Sequence, residues 1–127
     1  MIILGIDPGT AITGYAIIST KRHKSQKQDR NEKPKVIDFG CITTSTLNSA
    51  PKRLEIIYDE IDKLIKKHKP EILSIENLFF FKNLKTAMPV SQAKGVILLS
   101  ASKNKIPVCE FTPLQVKMTI VGYGKAE

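Results

Sequence analysis

Two acids in this sequence stand where an unpaired carboxylate is costly. Asp7 closes the apolar run IILGID at residues 2–7, directly before Pro8-Gly9. Glu76 comes near the end of EILSIEN at 71–77, after Ser74 and Ile75. Both runs read as buried strands, where a carboxylate needs a partner, hydrogen bonds or a cation. The carboxyl ends of strands are also where sites form in open sheets containing parallel strands. If the two strands are parallel neighbours, Asp7 and Glu76 converge within metal-bridging distance. Carboxylate oxygens suit Mg²⁺, which keeps several waters and completes its shell with substrate phosphate. Two such ions can activate a water and stabilise the leaving oxygen of a phosphodiester. The plainer alternative is that each acid ends a strand or sits in a turn, paired with a lysine. The spacing leaves both open.

Asp7-Pro8-Gly9-Thr10 has another possible meaning. Asp-x-Gly-Thr after a buried strand also occurs in actin-like and Hsp70-like ATPases, where turn amides and the Thr hydroxyl bind phosphates. Such enzymes need two related halves and several hundred residues, so this chain would be a fragment of one. Asn77-Leu78-Phe79-Phe80-Phe81-Lys82-Asn83 follows Glu76 directly. Three consecutive aromatics cannot all face one core. An exposed one among Phe79, Phe80 and Phe81, flanked by Lys82 and Lys85, suits stacking on a base while lysines hold phosphates. The competing expectation is that at least one of them packs under the loop. Lys117 carries a lone charge in QVKMTIVG. It either places an ammonium near a phosphate or snorkels from a helix face. His23 and His68 are isolated; the second falls at a helix end, where a cation suits the dipole.

The elements that must position these groups read as follows. Residues 2–7 and 13–19 form two strands joined by a hairpin-sized connection, hence antiparallel neighbours. Residues 20–35 hold seven Lys/Arg, two acids and no aliphatic side chain, which reads as a basic flexible loop. Residues 36–44 pair back as a third strand. Residues 51–68 carry Leu54, Ile57, Ile61, Leu64 and Ile65 at helical spacing, with Pro51 in the first turn and Pro70 as the stop. A fourth strand follows at 71–77. A second helix spans 84–105, with Pro89 in its first turn or at its true start. Its small residues Ala93 and Gly95 would admit another helix closely. Residues 107–111 form a fifth strand, and Thr112-Pro113 opens a short helix over LQVKM. The order β-β-β-α-β-α-β-α predicts a mixed sheet covered by helices, with the first, fourth and fifth strands parallel.

The chain has 127 residues, room for one domain. No apolar run approaches the roughly 20 residues that cross a bilayer, and the opening MIILGID lacks a basic leader, so it reads as a strand. Cys41 and Cys109 sit in apolar strand-like runs and are expected as reduced core residues, in keeping with a cytosolic protein. Twenty Lys+Arg against 12 Asp+Glu give a net charge of +8, which favours a polyanionic partner.

Taken together, the stretches GIDPGTAITGYAII (5–18), SIENLFFFKN (74–83), SQAKGVILLSA (91–101) and EFTPLQVKMTIVGYGKAE (110–127) resemble the RuvC family of Holliday-junction resolvases, within the RNase H-like superfamily. Their order and separations fit over nearly the whole chain. YqgF-type proteins share the DPGT opening but not the aromatic segment with the QAKG helix. The resemblance implies an α/β, RNase H-like fold, its five-stranded mixed sheet flanked by helices. It implies a Mg²⁺-dependent endonuclease (Mn²⁺ as possible substitute) that resolves four-way DNA junctions by paired symmetric cuts. Asp7 and Glu76 would be two of its metal-binding carboxylates. Phe79 would stack into the opened junction, with Phe80, Lys82 and Lys85 near the DNA, and Lys117 would support catalysis. A bacterial cytoplasmic homodimer is implied, with the helix from residue 84 in the dimer contact and a branch-migration helicase complex as a possible partner.

Two departures stand out. The 20–35 loop is longer and more basic than expected. The family's remaining carboxylates lie on a helix following Lys125-Ala126-Glu127, and Glu127 matches only its start. The expectation is therefore a C-terminally incomplete nuclease domain over 1–127 whose 127-residue form is inactive or nearly so. A junction-binding module that does not cut is the alternative.

Overall fold

The computed structural model describes residues 1–20, 34–77 and 84–111. Three antiparallel strands come first: β1 (Ile2–Asp7), β2 (Ile12–Ser19) and β3 (Lys35–Thr43). Helix α1 (Ala50–His68), strand β4 (Ile72–Glu76), helix α2 (Leu84–Lys103) and strand β5 (Val108–Phe111) follow. The sheet order is β3-β2-β1-β4-β5, with β4 parallel to both β1 and β5. The mixed five-stranded sheet expected from the sequence is thus present, and each described element falls within a residue or two of its expected span. The segment 21–33 and the short helix expected over 114–118 lie outside the described residues.

Alternation along the strands sends one set of side chains toward the helices. Leu4, Ile6, Ile17, Ile42, Leu73 and Ile75 meet Ile57, Ile61 and Ile65 of α1 and Ala93, Ile97 and Ala101 of α2 in one buried cluster. The period of two in the strands and of 3.6 in the helices makes these faces continuous. Helix α1 is well terminated. The Ser49 hydroxyl accepts from the Lys52 amide, Pro51 occupies the first turn, and Lys66, Lys67 and His68 complement the dipole at the end. Its cap, Lys69, adopts the left-handed conformation (φ 48°) and donates its amide to the Ile65 carbonyl at 2.8 Å. His68 Nε2 lies 3.2 Å from Asp38 Oδ2, fastening the end of α1 to β3. Pro89 falls in the second turn of α2 and forfeits one helical bond near the amino end, where the loss is tolerated.

The opposite face of the sheet bears Asp7, Gly14, Ala16, Phe39, Cys41, Ser74, Glu76 and Phe111 by register. Among the described residues no helix covers it, and Phe39 is 74% exposed. Two expectations are corrected here. Cys41 and Cys109 are free and exposed, not core. Both belong to the edge strands β3 and β5 and point away from the helices, which an apolar run by itself does not reveal. Ala93 packs into the core while Gly95 is exposed, so only Gly95 offers a close approach on the outer side of α2.

Candidate metal centre

Parallel pairing of β1 with β4 sets Ile6 beside Ile75, and the next residues on each strand are Asp7 and Glu76. Neighbouring strands lie about 5 Å apart, so the two carboxylates stand side by side on the open face. Glu76 is in turn paired with Phe111 of β5, and Asp7 with Gly14 of β2. The result is a shallow trough of about 330 Å³ lined by Gly5, Asp7, Gly14, Ala16, Glu76 and Phe111, among others. Small residues on the β1–β2 side keep it open. A methyl group at Gly14 would come to 3.7 Å from the Asp7 Cβ, ordinary contact that would begin to fill the floor.

The turn after Asp7 is held from several sides. Thr13, fully buried, donates its hydroxyl to the Gly9 carbonyl at 2.6 Å and accepts from the Gly9 amide at 3.3 Å. Thr44 donates its hydroxyl to the Thr10 carbonyl at 2.6 Å, and Arg53 Nε donates to that same hydroxyl at 2.9 Å. A side chain at Gly9 would overlap the Ile12 carbonyl, so only glycine fits this turn. The Thr10 hydroxyl is itself buried rather than turned toward solvent, where a nucleotide phosphate would have to meet it.

Burial, and secondly the charge of Asp7, raise the pKa of Glu76 above the ordinary carboxylate range. Both causes disfavour the same charge, and a divalent cation between the two acids would relieve both. The donors are hard carboxylate oxygens beside an open trough, so the residues fit Mg²⁺ or Mn²⁺. Asp7 and Glu76 would hold it. Among the described residues no three His, Cys, Asp or Glu side chains come together, so the described part of the site contributes these two acids.

Of the other residues singled out in the sequence, Lys85 is exposed on the first turn of α2 and does not line the trough. Phe79, Phe80, Lys82 and Lys117 lie outside the described residues. Two residues went unmarked as site residues in the sequence. Phe111 forms one wall of the trough, a placement that follows from period-two alternation once the β4–β5 register is known. Lys94 of α2 reaches back to the same end of the sheet, with Nζ 3.0 Å from Glu110 Oε1 and 3.4 Å from Asn77 Oδ1.

Known proteins resemble this chain in sequence and in fold. A model of the family described as crossover junction endodeoxyribonuclease RuvC matches residues 3–127. The crossover junction endodeoxyribonuclease RuvC of Fusobacterium nucleatum is 54% identical over 127 residues, covering all of this chain and 62% of the relative. That of Ruminiclostridium cellulolyticum is 46% identical, covering all of this chain and 71% of the relative. The structure of Thermus thermophilus RuvC in complex with a Holliday junction substrate superposes with a TM-score of 0.87 at 27% identity. It covers all of this chain and 72% of that one. The chain thus spans somewhat under two thirds of the Fusobacterium protein and about 70% of the others. On the family match, the sequence identities and the shared fold, this chain belongs to the family of the crossover junction endodeoxyribonuclease RuvC.

Proposed function

We propose that the trough at Asp7 and Glu76 is the cleavage site of a Mg²⁺-dependent endonuclease acting on four-way DNA junctions. The observation that carries the reading is the convergence of the two acids at the paired ends of β1 and β4, on the face that no described helix covers. A bound divalent cation supplies Lewis-acid activation of water and neutralises charge developing on the phosphate. Asp7 and Glu76 hold the cation, and Mn²⁺ substitutes for Mg²⁺ on the same oxygens. The Gly9–Thr13 turn keeps the first acid in place. Phe111 walls the trough on the side of Glu76. Phe79 stacks on an unpaired base, Phe80, Lys82 and Lys85 contact the DNA, and Lys117 supplies positive charge beside the scissile phosphate.

The substrate reading is supported by the family and by the relative solved with a Holliday junction. A net charge of +8 suits any nucleic acid and adds affinity without choosing the junction. Two symmetric cuts require two sites, which a homodimer provides; exposed Met88, Gly95 and Leu99 on α2 offer a surface for it. A cytoplasmic setting, with a branch-migration helicase complex as partner, completes the reading. No helix among the described residues is long and apolar enough to cross a membrane.

The described residues contribute two acids to the site, and a second reading is a module that binds junctions without cutting them. One assay separates the two. Synthetic four-way junctions are incubated in Mg²⁺ with the native chain, Asp7→Asn and Glu76→Gln. Paired symmetric nicks from the native chain, lost by more than about a hundredfold in either substitution, support the nuclease. Junction binding by the native chain with no nicking would leave only the binding module.

A further inference from the structure

Lys94 of α2 ties that helix to the carboxyl ends of β4 and β5. Its ammonium is largely buried, with the side chain 18% exposed, and it reaches both Glu110 Oε1 at 3.0 Å and Asn77 Oδ1 at 3.4 Å. Glu110 precedes Phe111, and Asn77 follows Glu76, so its two partners flank the Glu76–Phe111 pair. The Asn77 amide also donates to the Phe111 carbonyl at 2.7 Å, closing the ladder one residue beyond the acid. Glu110 and Asn77 reach toward α2, whereas Glu76 points to the opposite face, so Lys94 does not touch the trough.

We propose that Lys94 is a positioning residue that clamps the ends of β4 and β5 from behind the sheet and so fixes Glu76 beside Asp7. This rests on the reading of Asp7 and Glu76 as a cation site. A strand end is where a ladder frays. Among the described residues β5 has four residues and is an edge, so it holds the end of β4 weakly by itself. An ammonium shared between the two strand ends ties them to a helix of twenty residues. Arginine in place of lysine retains donors for both acceptors, whereas methionine keeps the aliphatic length and offers none.

The test uses two readouts on the native chain, Lys94→Met and Lys94→Arg. Hydrogen exchange follows the Asn77 and Phe111 amides, and electron paramagnetic resonance follows titration with Mn²⁺ alone. The expected result is that Lys94→Met exchanges the Asn77 amide about tenfold faster and binds Mn²⁺ about tenfold more weakly, while exchange in β1 and β2 is unchanged. Lys94→Arg stays near native on both readouts. Glu110→Gln, a change at a partly exposed edge, is expected to give a smaller shift in the same direction and serves if Lys94→Met does not fold. Native exchange at Asn77 in Lys94→Met would overturn the proposal. So would acceleration spread evenly over the whole sheet, the mark of a general stabilising role. If the native chain binds no Mn²⁺ through Asp7 and Glu76, the cation reading falls, and exchange at Asn77 still decides whether the clamp exists.

Discussion

At the scale of single residues, Glu76 is the most informative group. Its pKa is raised by burial and by Asp7, so the folded chain holds a proton that the unfolded chain releases over the window between the ordinary carboxylate value and the raised one. Stability therefore falls as pH rises through that window and stays lower above it. Glu76→Gln removes the penalty. In EDTA at neutral pH it is expected to melt a few degrees higher than the native chain, and the difference closes at pH below the ordinary carboxylate range. Excess Mg²⁺ should reverse the order, because only the native chain gains from the cation. Thermal melts at two pH values, with and without Mg²⁺, check all three statements. A native chain already more stable than Glu76→Gln in EDTA would mean that some cationic side chain already compensates the acid. Asp7 and Glu76 were legible in the sequence because each ends an apolar run. Phe111 and Lys94 were not, since each gains its meaning only from a neighbouring strand.

At the scale of elements, α1 shows how far local signals reach. Pro51 and Pro70 mark its ends, and Ile57, Ile61 and Ile65 its buried face, all readable from spacing. The conformation of Lys69 was not readable. Lysine in the left-handed region costs about 1 kcal/mol relative to glycine. Lys69→Gly is accordingly expected to raise stability by roughly 0.5–1 kcal/mol in urea denaturation, with cleavage unaffected. A loss of stability would show that the lysine side chain contributes more than the backbone costs. The strands show the opposite case. Their existence and direction followed from composition and turn signals, whereas the adjacency of β1 and β4 and the facing of Cys41 and Cys109 did not. Edge strands with apolar residues on both faces carry no alternation to decide it.

At the scale of the whole molecule, the sheet is covered by α1 and α2 on one side and, within the described residues, open on the other, and the acids stand on the open side. The +8 charge gives the chain an attraction for phosphate that is independent of sequence. Junction affinity is expected to drop by at least about tenfold between roughly 50 and 200 mM salt, with log affinity linear in log salt. Fluorescence anisotropy on a labelled junction measures it, and a flat response would remove electrostatics as the main source of binding. The fold and the family were legible because four separated stretches match in order. The placement of the aromatic segment and of Lys117 falls outside the described residues and stays with the proposal. The account as a whole turns on whether Asp7 and Glu76 form one cation site. Calorimetric titration of Mn²⁺ into the native chain, Asp7→Asn and Glu76→Gln addresses this most directly. The account predicts binding in the native chain that is weakened at least about tenfold by either substitution alone. Binding of equal strength in all three proteins would contradict it.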